Sequence, residues 1–361
     1  MYSIGSEWWK CFYIRYPFGY TWDIRDDRFS IPSDLIETML RVSPVRALLK
    51  LQLVSKGWQS MIFQPKFLRE YRGKDMLLLC LVDVRKLVIP LNSLLMETPM
   101  SEAMNFPVFP DRRFPYPDAT CGTLWCHENE DSSLLLYNPA TLERRQLPLP
   151  ISIRNEKKYQ HNSSKYVYGV AHVDDDVKVL FEGDDYRHGS EIDLSTLEGV
   201  YSNEKIHWIM RFTSDLYQQM LSVNVRSGDF TLTPLPQDVH VLSNWHTFTV
   251  EGVLYISASY FNRLRVWAKH DVDWILDLDA DCSEIYSLRY CSLEPLYVRR
   301  DSGEMAKFIR STFGAGVLYL YNADNNSFLR RDLGVPVIRM FSYTDSFTSP
   351  SFDGIYWRGS L

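Results

Sequence analysis

Residues 134–150 read LLLYNPATLERRQLPLP, an apolar run, a turn at Asn138-Pro139 and a return run. The same shape recurs as LSVNVRSGDFTLTPLP in residues 221–236 and as LYLYNADNNSFLRRDLG in residues 318–334. Short runs rich in Val, Leu, Tyr, Trp and Phe, separated by Asn, Pro, Gly and Asp, are the chemistry of strands joined by tight turns. The offsets between Asn138, Asn224 and Asn322 are 86 and 98 residues, about twice 43 and twice 49. A second element recurs as CGTLWC (121–126), SNEKIHWIM (202–210), VEGVLYIS (250–257) and FDGIYWRG (352–359). Units of ~40–50 residues match the blade length of four-stranded propellers.

The 287 residues from Asp75 to Leu361 divide into six units of about 48 or seven of about 41, and six is the favoured division. Gly-Gly doublets are absent, so this is not a consensus kelch array. A β-sandwich whose hairpins resemble one another by coincidence is the competing fold. Upstream, residues 30–71 change character and are helical. Ser30-Ile31-Pro32-Ser33-Asp34 is a start signal, with Asp34 three residues ahead of Glu37 in capping-box spacing. Leu35, Ile36, Met39 and Leu40 then share one helical face. Ser43-Pro44 predicts a second start, a capping hydroxyl before a proline at the first helical position, with Leu48, Leu49, Leu51 and Leu53-Val54 carrying the helix. Ser55 caps a third helix bearing Trp58, Met61 and Ile62, which Pro65 stops. Three short helices bury too little to be stable alone, so the module leans on a partner, on the following domain, or on both. The expected fold class is α+β and multidomain: an aromatic-rich tail over 1–29, poorly ordered; a small three-helix module over 30–71; and an all-β, propeller-like domain over 75–361.

Composition narrows the function. The chain has 361 residues, 45 Asp+Glu against 39 Lys+Arg, and a formal charge of −6, which argues against a general nucleic-acid binder. The longest uninterrupted apolar run, Met76 to Val82, is seven residues, far short of a membrane span. Residues 1–29 contain ten aromatics but are broken by Glu7, Lys10, Arg15 and Asp23, which is not the pattern of a secretory signal. Six cysteines over this length are too few for a disulfide scaffold, which makes the cytoplasm or nucleus the expected compartment.

The helical segment IPSDLIETMLRVSPVRALLKLQLVSKGWQSMI, residues 31–62, resembles an F-box through Ile31-Pro32, Asp34-Leu35-Ile36, Leu40, Pro44-Val45, Leu48-Leu49 and Val54-Ser55-Lys56 followed by Trp58. The β-patterned region after it resembles the F-box-associated β domain abundant in plants. The cues are Tyr137-Asn138-Pro139-Ala140-Thr141 with Leu147-Pro148, then Tyr168-Gly169 through Asp175-Asp176-Val177-Lys178-Val179, then Gly199-Val200-Tyr201-Ser202-Asn203 with His207-Trp208. Two departures stand out: Ser43 where such modules carry leucine, and Lys50-Leu51-Gln52-Leu53 where they carry a basic, aromatic, basic, cysteine run. The resemblance implies the substrate-recognition subunit of an SCF-type cullin–RING ubiquitin ligase. It is non-catalytic and needs no cofactor or metal, its F-box docking a Skp-family adaptor and its β domain holding an unidentified protein target. The implied adaptor-binding residues are Ile31, Pro32, Leu35, Ile36, Leu40, Pro44, Val45, Leu48, Val54 and Trp58. Trp58 is read as the hub that locks the third helix onto the first two, with adaptor contact as the alternative.

Other constellations argue weakly. No G-x-S-x-G turn, H-E-x-x-H, phosphate loop or dinucleotide fingerprint is present. Cys121, Cys126 and His127 have loose spacing for zinc and read as strand residues. Asp277, Asp279 and Asp281 imitate a calcium loop, but Cys282 stands where the glycine belongs and Leu288 where the closing glutamate belongs. His207-Trp208 reads as a strand pair with Trp in the core, and Asp174-Asp175-Asp176 as a solvated turn. Beside the ligase receptor stand two other readings: a binding module that no longer joins a ligase, and a propeller hydrolase with carboxylates repeated at equivalent blade positions.

Overall fold

The computed structural model describes residues 31–71, 73, 75–81, 86–95, 119–120, 125–128, 133–148, 167–173, 176–182, 192–194, 198–212, 218–236, 244–271, 273–285, 293–299, 304–311, 316–335, 337–347 and 356–357. Four helices come first: α1 (Ser33–Arg41), α2 (Val45–Leu51), α3 (Lys56–Ile62) and α4 (Pro65–Glu70). The strands follow in chain order. They are β1 (Asp75–Leu81), β2 (Lys86–Pro90), β3 (Ala119–Thr120), β4 (Trp125–Glu128), β5 (Ser133–Tyr137), β6 (Arg144–Pro148), β7 (Val167–Val173) and β8 (Asp176–Glu182). Next are β9 (Ile192–Leu194), β10 (Glu198–Ser202), β11 (Lys205–Phe212), β12 (Gln218–Asn224), β13 (Phe230–Pro234), β14 (Asn244–Val250), β15 (Val253–Tyr260) and β16 (Arg263–His270). The last are β17 (Asp273–Asp281), β18 (Leu293–Arg299), β19 (Met305–Ser311), β20 (Val317–Asn322), β21 (Ser327–Asp332), β22 (Val337–Thr344) and β23 (Tyr356–Trp357). The described residues are therefore mostly β, preceded by a small helical segment. The expected tail, residues 1–29, lies outside the described residues.

Several helical details differ from expectation. Pro32 occupies the N-cap of α1 without a side-chain cap, and Glu37 pairs with Arg41 at 2.6 Å, so the Asp34/Glu37 capping box is not made. Ser43 does not cap α2. Pro44 is the N-cap residue, and the Ser43 hydroxyl donates back to the Met39 carbonyl at 2.8 Å. Leu53 and Val54 fall after the end of α2 and are exposed, because the chain turns there to enter α3. Pro65 opens a fourth helix, as proline at a first helical position does, and Phe67 from that helix joins the core. The Ser55 cap is made: its hydroxyl accepts from the Trp58 amide at 3.1 Å.

Among the described residues the β region builds three four-stranded antiparallel sheets in chain order, β3–β6, β14–β17 and β18–β21. The strands β10–β13 form a fourth such run, but β10 also pairs in parallel with β7, which merges them with β7, β8 and β23, and with β9 on the side of β11, into one eight-stranded sheet. The remaining sheet has the order β2-β1-β22, so the first strand pairs with one near the end of the chain. Among the described residues no closed ring of separate, equal four-stranded units is formed. FDGIYWRG does not repeat the other elements of its set: Tyr356–Trp357 pairs in parallel with β8, whereas the matching segments are first-to-second-strand hairpins.

Turn chemistry explains the recurrences. Asn224 and Asn322 end third strands and Asn138 directly follows one, and each side-chain oxygen accepts from the amide two residues on, at 2.7 Å for Asn138, 2.8 Å for Asn224 and 2.9 Å for Asn322. That Asx turn is what the repeated asparagine supplies. The two-residue hairpins at Asn203-Glu204 and Glu251-Gly252 hold both central residues at positive φ, the primed geometry that matches strand twist. Apolar cores lie between successive sheets. Ile209, Met220, Trp245, Ile256 and Trp267 fill one, and Leu264, Leu278, Leu293, Tyr297 and Ile309 the next.

Candidate functional site

The four helices close around Leu40, Leu48, Ile62 and Phe67, all buried, with Ile36, Leu51, Trp58, Met61 and Tyr71 packed on their rim. The ten residues expected to bind an adaptor therefore divide by position. Leu40, Val45 and Leu48 are buried inside the chain's own fold; Ile36, Pro44 and Trp58 are half-buried; Ile31, Pro32, Leu35 and Val54 are exposed. Trp58 packs, half-buried, on the rim of the helical core.

The sequence reading missed further exposed apolar groups on the same module. Leu53 is 82 % exposed, and Val42, Phe63 and Leu68 join Ile31, Leu35 and Val54 among the exposed large hydrophobics. Seven such side chains lie on the helices and their connections, and apart from Phe63, whose ring meets Phe347, they are an unusual density for a solvated surface, where apolar residues are ordinarily scattered singly. Lys50, Lys56 and Lys66 are exposed on the same helices, while Arg41 is engaged by Glu37 at 2.6 Å and Glu70 at 2.8 Å.

Other parts of the module are committed to the β region. Asp345, buried just after β22, accepts from the Val45 amide at 2.7 Å. Arg46 donates to the Pro139 carbonyl at 2.8 Å, and Asn138 Nδ2 donates to the Ser346 carbonyl at 2.9 Å. The Phe347 ring meets Tyr71 at 5.5 Å and Phe63 at 6.4 Å, both edge-on. Burial, and secondarily the Asp345 carboxylate, pushes the Tyr71 phenol well above its ordinary range, and its hydroxyl donates to the Ser43 carbonyl at 2.8 Å. No local pattern in residues 345–347 announces this role. Asn138 was legible as a turn residue, but its second bond, to Ser346, was not.

Two cues from separate parts of the sequence also meet. Gly169 and Gly199 lie opposite each other across the parallel β7–β10 pairing, and Ile206 and Trp208 cover both. An added Cβ would come within 2.4 Å of Ile206 at Gly169 and 2.6 Å of Ile206 and Trp208 at Gly199. His207 is buried beside Trp208, in keeping with the strand reading. It shares a hydrogen bond with the Ser222 hydroxyl at 2.8 Å, and burial pushes its pKa down to about 4.

Asp277, Asp279 and Asp281 sit at alternate positions of strand β17, not in a loop. Asp277 accepts from Tyr297 and pairs with Lys307 at 3.1 Å, and Asp279 takes a two-pronged contact from Arg263 at 2.6 and 2.8 Å. Both of these carboxylates already have partners within the β region. Among the described residues no group of three or more His, Cys, Asp or Glu is arranged to hold a metal ion. Cys121 lies outside the described residues, as do Asp174 and Asp175, and nothing is described of the Cys126 and His127 side chains beyond their place in β4. Cys282 is buried, its thiol pushed up to about 12 by that burial. Between the first strands of two neighbouring sheets, His246 on β14 stands 3.9 Å from Glu294 on β18, and Arg310 on β19 pairs with Glu294 at 2.9 Å. No described helix is long and apolar enough to cross a membrane.

No family model matches the chain, and no curated protein matches it. Among solved structures it is similar to a Bacteroides uniformis protein assigned as a 6-phosphogluconolactonase, with 10% identity, a TM-score of 0.38, and coverage of 75% of this chain and 99% of that one. It is also similar to the dihydro-heme d1 dehydrogenase NirN in complex with DHE, with 10% identity, a TM-score of 0.32, and coverage of 74% of this chain and 75% of that one. Neither superposition is close enough to bear on activity.

Proposed function

We propose that the chain is the target-holding subunit of an SCF-type cullin–RING ubiquitin ligase, an F-box protein whose helical module docks a Skp-family adaptor and whose β domain holds a protein target. One observation carries the reading: six large apolar side chains (Ile31, Leu35, Val42, Leu53, Val54 and Leu68) stand exposed on the helical module, which is elsewhere packed against the β region through Val45, Arg46, Phe63 and Tyr71. A standard protein interface buries ~1,600 Å² in total, within reach of four short helices. The receptor then contributes position rather than chemistry, raising the target's effective concentration near the conjugating enzyme. The pairing of β1 with β22 and the unit pattern of the sheets support a six-bladed, propeller-like arrangement of the target domain. Cytoplasm or nucleus follows from that role.

The test is calorimetry of the full chain with a purified Skp-family adaptor. Wild type binds, and Leu53→Asp with Val54→Asp weakens binding at least tenfold while leaving the melting temperature within ~2 °C. An adaptor that does not bind the wild-type chain overturns the reading; binding without assembly into an active ligase leaves a docking module outside the ligase. A propeller enzyme is the second reading, favoured by the His246–Glu294–Arg310 cluster between the first strands of neighbouring sheets. Turnover of an ester or glycoside that is lost in Glu294→Gln would establish it in place of the first.

A further inference from the structure

The amide of Val45 belongs to the first helical residue of α2, whose N-cap Pro44 provides no side-chain acceptor. The first turn of a helix leaves its amides without internal partners and carries partial positive charge, so a carboxylate there is doubly favoured. That carboxylate comes from Asp345, 300 residues later in the chain, and both residues are buried. A second, independent contact presses on the same residue. The linker between α4 and β1 passes so close that a Cβ on Gly73 would lie 1.7 Å from the Asp345 carbonyl oxygen. Ser346 and Phe347 extend the contact, to Asn138 and to the Tyr71 and Phe63 rings.

From this geometry we infer that Asp345 is a positioning residue: it caps α2 from the end of β22 and locks the orientation of the helical module on the β region. The inference rests on the docking role proposed above only for its consequence, which is that adaptor and target are held at one fixed mutual angle. The contacts of Asp345 with Val45 and Gly73, and of Phe347 with Tyr71 and Phe63, hold the linker at Gly73 against the end of β22. Asp345 itself is buried and lies off the exposed apolar face, so its effect on an adaptor is through the angle and not through contact.

Hydrogen exchange of the full chain, read by mass spectrometry without any adaptor, tests this. In Asp345→Ala, peptides covering 44–54 and 63–73 exchange at least tenfold faster, while peptides covering 253–281 stay within twofold of wild type. Asp345→Asn keeps an acceptor oxygen at the cap and remains within threefold at 44–54. Phe347→Ala accelerates 63–73 and leaves 253–281 unchanged. The inference is overturned by unchanged exchange at 44–54 in the alanine variant, by equal acceleration throughout the chain, or by an asparagine variant as fast as the alanine one. Failure of the wild-type chain to bind an adaptor is a separate result and strikes only at the docking role.

Discussion

The backbone amide of Val45 and the carboxylate of Asp345 meet at 2.7 Å in a buried setting, joining the second helix to the end of a strand near the far end of the chain. A helix cap supplied from 300 residues away makes the helical module part of the β region's structure. With the shared core of Leu40, Leu48, Ile62 and Phe67, it adds to the stability of four helices that are individually too short to persist in water. It also shows which residues of the module are spent on the β region: Val45, Arg46, Phe63 and Tyr71 meet Asp345, the Asn138-Pro139 turn and Phe347, while Ile31, Leu35, Val42, Leu53, Val54 and Leu68 remain exposed.

Asn138 and Asn322 provide a matched comparison. Both make an Asx turn, but Asn138 is fully buried, accepts from both Ala140 and Thr141, and bonds Ser346, whereas Asn322 is exposed and accepts once, from Asp324. Asn138→Ala should cost ~2–3 kcal/mol, because the Ser346 carbonyl and two amides lose their partner in a dry site. Asn322→Ala should cost less than ~1 kcal/mol, since water replaces the lost acceptor. Urea denaturation of both variants measures the difference.

Within the helices, burial separates two leucines that sequence alone treats alike. Leu48→Ala opens a cavity in the helical core and is expected to cost ~2–5 kcal/mol. Leu53→Ala removes an exposed side chain and is expected to change stability by no more than ~0.5 kcal/mol. Equal losses for the two in thermal melts would mean that Leu53 is packed in solution.

Gly199 is where a small residue is required by packing. Gly199→Ala would press a methyl against Ile206 and Trp208, with an expected cost of ~1–3 kcal/mol. Trp208→Phe withdraws part of the obstruction, so the double variant should be more stable than the sum of the single losses predicts. An additive pair in a double-mutant cycle would argue against the contact.

His207 makes stability depend on pH in one direction. Its folded pKa is pushed down to about 4 by burial, below the ordinary value of 6.5. Between those values the unfolded chain binds a proton that the folded chain does not, so stability is full above pH ~6.5 and falls as the pH drops toward 4. The loss attributable to this group is ~3 kcal/mol across that window. Urea titrations at pH 7 and pH 4.5 should show a smaller drop for His207→Gln than for wild type; an identical drop would mean that His207 titrates normally.

The repeated hairpins, their asparagine turns and the helical N-terminus were legible in the sequence because each is a local property. Asn138, Asn224 and Asn322 form their turns with amides two residues away, and Ser55 caps a helix that begins at the next residue. Where local signals misled, a nearby competitor won. The Ser43 hydroxyl found the Met39 carbonyl within its own turn, and Glu37 found Arg41 one helical turn on. Of the expected adaptor-binding residues, Leu35 and Val54 stand on the exposed face, while Leu40, Val45 and Leu48 are buried, a split that helical periodicity does not contain.

By itself, then, the sequence determined strand, turn and helix, since these follow from the conformational preferences of residues within a few positions of one another. Tertiary structure alone decided the merging of β7–β8 with β10–β13, the insertion of β22 beside β1, and the capping of α2 by Asp345. Each of those depends on residues brought together from distant parts of the chain. A buried amide needs an acceptor, but nothing near Val45 in the sequence shows that the acceptor will arrive from the end of β22.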